Sequence, residues 1–158
     1  RVWDLTRSKD SKRCVSIMKM KRTIYSVQFP PSGDSYALLS THDIVIRDTA
    51  SSDMIAQLDH EYRIQSFRFV SNDRIVTAGD DHVIRLWSFN SETSEMIAQV
   101  QTNAKSRTRD ITTTFNASGV AEHIFSVSSN GLVQMWNAQS LELESTLIDV
   151  LLLDHWTL

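Results

Sequence analysis

Four strand-like runs that end alike constrain this chain more than any other feature. They are RVWD at residues 1–4, DIVIRD at 43–48, HVIRLWS at 82–88 and LVQMWN at 132–137. Each sets Trp or Arg immediately before a short polar residue. The closing residues Asp4, Asp48, Ser88 and Asn137 stand 44, 40 and 49 positions apart. That spacing is close to the about 40 to 45 residues of a four-stranded β-propeller blade, with one longer insertion.

The stretches between these landmarks fill in as strands. TIYSVQF alternates Tyr25, Val27 and Phe29 against Ser26 and Gln28, the pattern of a half-buried strand. PPSGD follows, and its prolines and glycine forbid a helix there. SYALLS, DIVIRD and MIAQLD complete one blade; RIQSFRFV, DRIVTA, HVIRLWS and EMIAQV make the next; RDITTTF, HIFSVS, LVQMWN and LELESTLI the last. SND, NSETS and SNG separate them with turn formers. The chain is therefore expected to be all β, a β-propeller fragment of about three and a half four-stranded blades. The end of a truncated blade takes residues 1–22, whole blades take 23–59, 60–101 and 102–148, and 149–158 form a tail or the start of the next blade.

Composition agrees with a globular chain. Of the 158 residues 41% are apolar and 22% charged, and no apolar run approaches the length of a membrane span. The single cysteine, Cys14, excludes an internal disulfide framework and fits a reducing compartment. The sequence opens in what reads as the end of a strand whose beginning is absent, without an initiating Met, so a fragment is expected. A ring closed on this period would need about seven blades, or roughly 300 residues. Without them, open edge strands invite mispairing unless something covers them.

Charge is uneven. Residues 1–22 carry Arg1, Arg7, Lys9, Lys12, Arg13, Lys19, Lys21 and Arg22 against Asp4 and Asp10, a net of +6, while the whole chain is at −3. Such a segment is either a solvated strand and loop or a surface for RNA or an acidic partner, with Arg7, Lys9, Lys12, Arg13, Lys19, Lys21 and Arg22 as the contact residues. It lacks the interleaved aromatics of a single-strand nucleic-acid channel. A second basic group, Lys105, Arg107 and Arg109, sits at the entry of the last blade. If the approaches to successive blades share one rim, this group joins Tyr62, Arg63 and Asp80 as a partner-binding surface.

The stretch DRIVTAGDDHVIRLW, residues 73–87, sets two adjacent acids beside a histidine. A metal or acid–base site is a poor reading, because consecutive strand residues point to opposite faces and Asp80, Asp81 and His82 cannot converge on one ion. No glycine motif for phosphate or dinucleotide binding, no Gly-x-Ser-x-Gly elbow and no Cys-His cluster occurs, so neither catalytic residue, metal ligand nor cofactor is assigned and an enzyme is not expected. An active site elsewhere in a longer chain is the weakest alternative.

Asp81 lies six residues before Trp87 and four after Thr77, and His60 lies just past the preceding blade's last strand. This arrangement resembles the WD40 repeat. The resemblance implies a structural chain of hydrogen bonds through His60, Thr77, Asp81 and Trp87, in which the Asp accepts from the turn and orients a neutral His. Asp80 is then left to face solvent. The other blades carry the set incompletely. Arg47 replaces the Trp and Thr41 takes the Asp position in the first, and Asn130 precedes Trp136 in the last, with no matching His.

Within WD40 proteins, YRIQSFRFVSNDRIVTAGDDHVIRLW resembles the corresponding blade of the PAK-interacting protein family. RVWDL, YSVQFPPSGDSYAL, DIVIRDTAS, SRTRDI and VSSNGLVQMW agree in the same order over roughly residues 1–140. The resemblance implies a non-catalytic scaffold of the nucleolus or nucleus. It would bind proteins of precursor 60S particles and their rRNA during large-subunit biogenesis and, in some animals, restrain a p21-activated kinase. Neither a membrane nor a small-molecule substrate is implied. The alternative is a generic WD40 adaptor in signalling or ubiquitin ligation, located in the cytoplasm.

Overall fold

A computed structural model of the protein describes residues 2–3, 14–16, 22–102 and 106–148; they form strands and turns, with no helix among them. Two short strands, β1 (Val2–Trp3) and β2 (Cys14–Ser16), pair antiparallel. The rest is three four-stranded antiparallel sheets. The first contains β3 (Ser26–Gln28), β4 (Ser35–Leu39), β5 (Asp43–Asp48) and β6 (Met54–Asp59). The second contains β7 (Ile64–Phe69), β8 (Arg74–Gly79), β9 (Val83–Phe89) and β10 (Ser94–Gln101). The third contains β11 (Thr108–Phe115), β12 (Ala121–Ser128), β13 (Val133–Asn137) and β14 (Leu143–Ile148). In each sheet the strands lie side by side in chain order, the meander of a WD40-like propeller blade.

Directly paired residues of neighbouring strands share a face, so register shows which side chains meet the next sheet. Ala37, Ile46 and Ala56 form one such row, and they pack with Leu39, Ile44 and Leu58 against Phe67, Phe69, Ile75 and Phe89 of the second sheet. The opposite face of the second sheet carries Val76, Ala78, Ile84 and Leu86, which meet Ile111, Ile124 and Trp136 of the third. Each fully buried aliphatic or aromatic side chain contributes about 1.5 to 3 kcal/mol, so these two interfaces join the sheets into one stack. Polar contacts add register: Thr113 Oγ1 donates to the Phe69 carbonyl at 3.4 Å, and Ser66 Oγ to Asp110 Oδ1 at 2.6 Å.

Alternation on β3 misleads about burial. Tyr25, Val27 and Phe29, expected to be half-buried, are 57%, 54% and 57% exposed. Val27 pairs with Leu38, whose row faces away from the second sheet, so this side of β3 gains nothing from the interface that buries Ala37.

The turn after each third strand is built by one device. Asp48 Oδ1 accepts from the N–H groups of Ala50 and Ser51, Asn90 Oδ1 from Glu92 and Thr93, and Asn137 Oδ1 from Gln139 and Ser140. These bonds also hold the Asp48 carboxyl below the usual range. In the second blade the residue that does this is Asn90, two places beyond the expected landmark Ser88, because β9 runs on to Phe89.

Candidate functional site

The Trp–hydroxyl half of the expected network is present twice. Trp87 Nε1 donates to Thr77 Oγ1 at 3.0 Å, and Trp136 Nε1 to Ser126 Oγ at 2.9 Å. In both pairs the hydroxyl sits on the second strand and the indole on the third, ten residues later, so the hairpin itself sets the geometry.

The other half is arranged differently from the sequence expectation. His60 lies against the Trp87 ring, centroids 5.0 Å apart, rather than bridging Thr77 and Asp81, and its Nε2 is buried without a hydrogen-bond partner among the described residues. Asp81 uses Oδ2 to accept from Arg85 at 2.5 Å and Oδ1 to accept from the Val83 N–H at 3.3 Å. The Arg85 guanidinium, on the third residue of β9, outcompetes an imidazole because it brings a full charge to an 8% exposed carboxylate. Burial, seconded by the nearby Arg85 charge and opposed by Asp81 and Asp59, pushes His60 down to about 4, so its ring is neutral at physiological pH.

Register corrects the reading of the other blades. Leu39 pairs with Ile44 and Ala78 with Ile84, which makes the β4–β5 turn one residue shorter than the β8–β9 turn. Leu38, not a hydroxyl, therefore faces Val45 where Thr77 faces Arg85, and Thr41 has no Asp81-like role: its N–H donates to Ser40 Oγ at 2.6 Å. Arg47, at the Trp position, instead donates to the Ser52 carbonyl at 2.7 Å. In the third blade Asn130 does stand in for Asp81, accepting from the Leu132 N–H at 3.3 Å. Thr102 takes the place of His60: the N–H of each donates to a carbonyl of the preceding turn, Thr102 to His82 at 2.8 Å and His60 to His42 at 2.7 Å.

At the same end of the sheets the turns and strand approaches form a rim. The Asp80 N–H donates to the Arg63 carbonyl at 3.0 Å, and Asp80 Oδ1 accepts from Gln65 Nε2 at 2.7 Å and lies 3.7 Å from Arg107 Nε. Asp80 is thus engaged across the second and third sheets, not turned freely to solvent. Arg63 lies over the Tyr25 ring, 5.7 Å from its centroid, which ties the rim back to the first sheet. Tyr62 and Arg109 are exposed, and Lys105 lies outside the described residues. Tyr25 and Gln65 were the rim residues that sequence reasoning missed. Only their place at the start of strands β3 and β7 could have signalled them.

Of the basic surface, Arg7, Lys9, Lys12, Arg13, Lys19 and Lys21 lie outside the described residues. Arg22 is described, and it pairs through Nη1 with Asp43 Oδ2 at 2.9 Å. Among the described residues no three His, Cys, Asp or Glu side chains are grouped as metal ligands would be, and no helix is long and apolar enough to cross a membrane.

No family model matches the chain. The chain is similar to p21-activated protein kinase-interacting protein 1-like from Gallus gallus, 25% identical over 138 residues, or 87% of this chain and 35% of that protein. It is 27% identical over 138 residues to p21-activated protein kinase-interacting protein 1 from Homo sapiens, covering 86% of this chain and 32% of that one. The Bos taurus protein of the same name is 28% identical over 141 residues, with 86% and 32% covered. The link to these proteins is distant, and the chain spans about a third of their length.

Proposed function

We propose that this chain is part of a non-catalytic protein-interaction scaffold. The observation that carries the reading is the rim: Tyr25, Arg63, Gln65, Asp80 and Arg107 are drawn from three sheets into one connected surface, with Tyr62 exposed beside them. A rigid stack with aromatic and arginine groups at its end is suited to partner binding, since both are enriched where interfaces gain their energy. The likeness to proteins named for interacting with p21-activated kinase supports the same class.

The assembly we infer is the precursor of the large ribosomal subunit, with the protein acting in the nucleolus or nucleus. The resemblance of residues 60–87 and the +6 segment at residues 1–22 support this, the latter as a source of phosphate contacts to rRNA. Kinase regulation is the second reading, favoured by the names of the relatives. The test is sedimentation of the full-length tagged protein from nuclear extract, with and without RNase. Recovery with large-subunit precursors is the expected result. Recovery in light fractions with a kinase would replace it by the second reading, and recovery with neither would reject both.

A further inference from the structure

We propose that the concavity beside the first sheet is a receptor for an arginine side chain of a partner polypeptide, and that Arg22 fills it as a tethered stand-in. The concavity measures about 590 Å³, and Thr23, Tyr25, Ser40, Thr41, His42 and Asp43 line it together with Arg22. Its charged wall is Asp43, whose side chain is 6% exposed while that of Arg22 is 62% exposed. Among the described residues Arg22 meets only Oδ2, and Oδ1 is buried with no hydrogen-bond partner. The carboxylate is therefore half-used. A guanidinium presented to both oxygens at once makes two parallel bonds and satisfies the orphaned one.

The walls suit such a guest. Asp43 is held in place by its own turn, where the Ser40 N–H donates to the Asp43 carbonyl at 2.9 Å. Hydroxyls of Thr23, Ser40 and Thr41 supply acceptors for the remaining N–H groups of a fork-shaped donor. Exchange costs little charge, because one guanidinium replaces another, and the largely exposed Arg22 regains water when released. An anionic guest, by contrast, meets a carboxylate with no compensating buried cation.

The inference rests on the scaffold reading only for the source of the arginine. Its test uses the full-length protein and the peptide acetyl-Gly-Arg-Gly-amide, with citrulline in place of arginine as the neutral control, titrated by calorimetry or by NMR shifts of the Tyr25 and His42 signals. Arg22→Gln, which removes the tethered competitor, is expected to tighten binding about fivefold. Asp43→Asn is expected to weaken it about tenfold or more. Unchanged or weaker binding by Arg22→Gln, or equal binding of the citrulline peptide, overturns the proposal. If Asp43→Asn loses the native circular dichroism spectrum, the exposed Arg22→Gln variant decides alone. Failure of the sedimentation experiment with success of this titration would reject the proposed assembly and keep the pocket.

Discussion

Trp136 and Ser126 form a deeply buried polar pair, 2% and 1% exposed and joined by a 2.9 Å hydrogen bond. Trp136→Phe keeps an aromatic ring against Ile111 and Ile124 but leaves the Ser126 hydroxyl without its donor. Losing that bond inside a dry interface, with part of the indole's buried area, costs about 2 to 3 kcal/mol. Ser126→Ala strands the indole N–H instead and costs about 1 to 3 kcal/mol. In the double variant nothing is left stranded, so its cost should fall short of the sum by roughly 1 kcal/mol. Urea unfolding followed by far-UV circular dichroism measures all four proteins. With a slope near 2 kcal/mol per molar, Trp136→Phe should lower the midpoint by about 1 M. Additivity of the two single changes within about 0.5 kcal/mol would refute the claim that this hydrogen bond couples the second and third strands. The Thr77–Trp87 pair is the internal control: Trp87 is only partly buried, and its coupling should be smaller.

Asp81→Asn removes the charge facing Arg85, whose side chain is 19% exposed, and should cost about 2 to 4 kcal/mol in the same urea assay; a loss below about 0.5 would mean the pair is dispensable. Gly79→Ala should be worse than Gly33→Ala. A Cβ at Gly79 would stand 2.6 Å from the Arg63 carbonyl oxygen, an overpacking cost of about 1 to 3 kcal/mol, whereas at Gly33 nothing lies within 4 Å and only the strain of φ +74° remains, about 1 kcal/mol. The reverse order of melting temperatures would show that the β8–β9 turn yields more readily than its contacts suggest. Stability should also fall in mild acid. The folded His60 titrates near 4 against 6.5 ordinarily, so the unfolded chain takes the proton first, and stability that is complete above about pH 7 is lost as pH drops through 6.5 toward 4. Allowing for partial exposure, the loss at about pH 5 is on the order of 1 to 2 kcal/mol, and His60→Gln should abolish that slope.

Much of the architecture was legible before any coordinates, because a period of about 40 to 45 residues with alternating apolar runs admits few solutions besides stacked four-stranded sheets. The indole–hydroxyl pairs were half legible: Thr77 and Trp87 were matched through the resemblance to the WD40 repeat, and Ser126 with Trp136 was not. Asp81 was correctly placed in its turn, but its partner was not. Choosing between His60 and Arg85 depends on which donor reaches the carboxylate first in space, and no spacing rule encodes that competition.

Secondary structure and the repeat follow from local properties, since strand alternation, turn residues and blade period are carried by Val, Ile, Gly, Asn and Asp along the chain. Tertiary structure decided what each face meets. Tyr25, Val27 and Phe29 alternate as faithfully as the buried β8 residues Ile75 and Thr77, yet they stay exposed because their side of the first sheet turns away from the second. The same holds for charge. Asp80 and Arg107 are brought together because sheets stacked side by side place turns distant in the chain at one rim, whereas Arg22 reaches Asp43 within the first sheet.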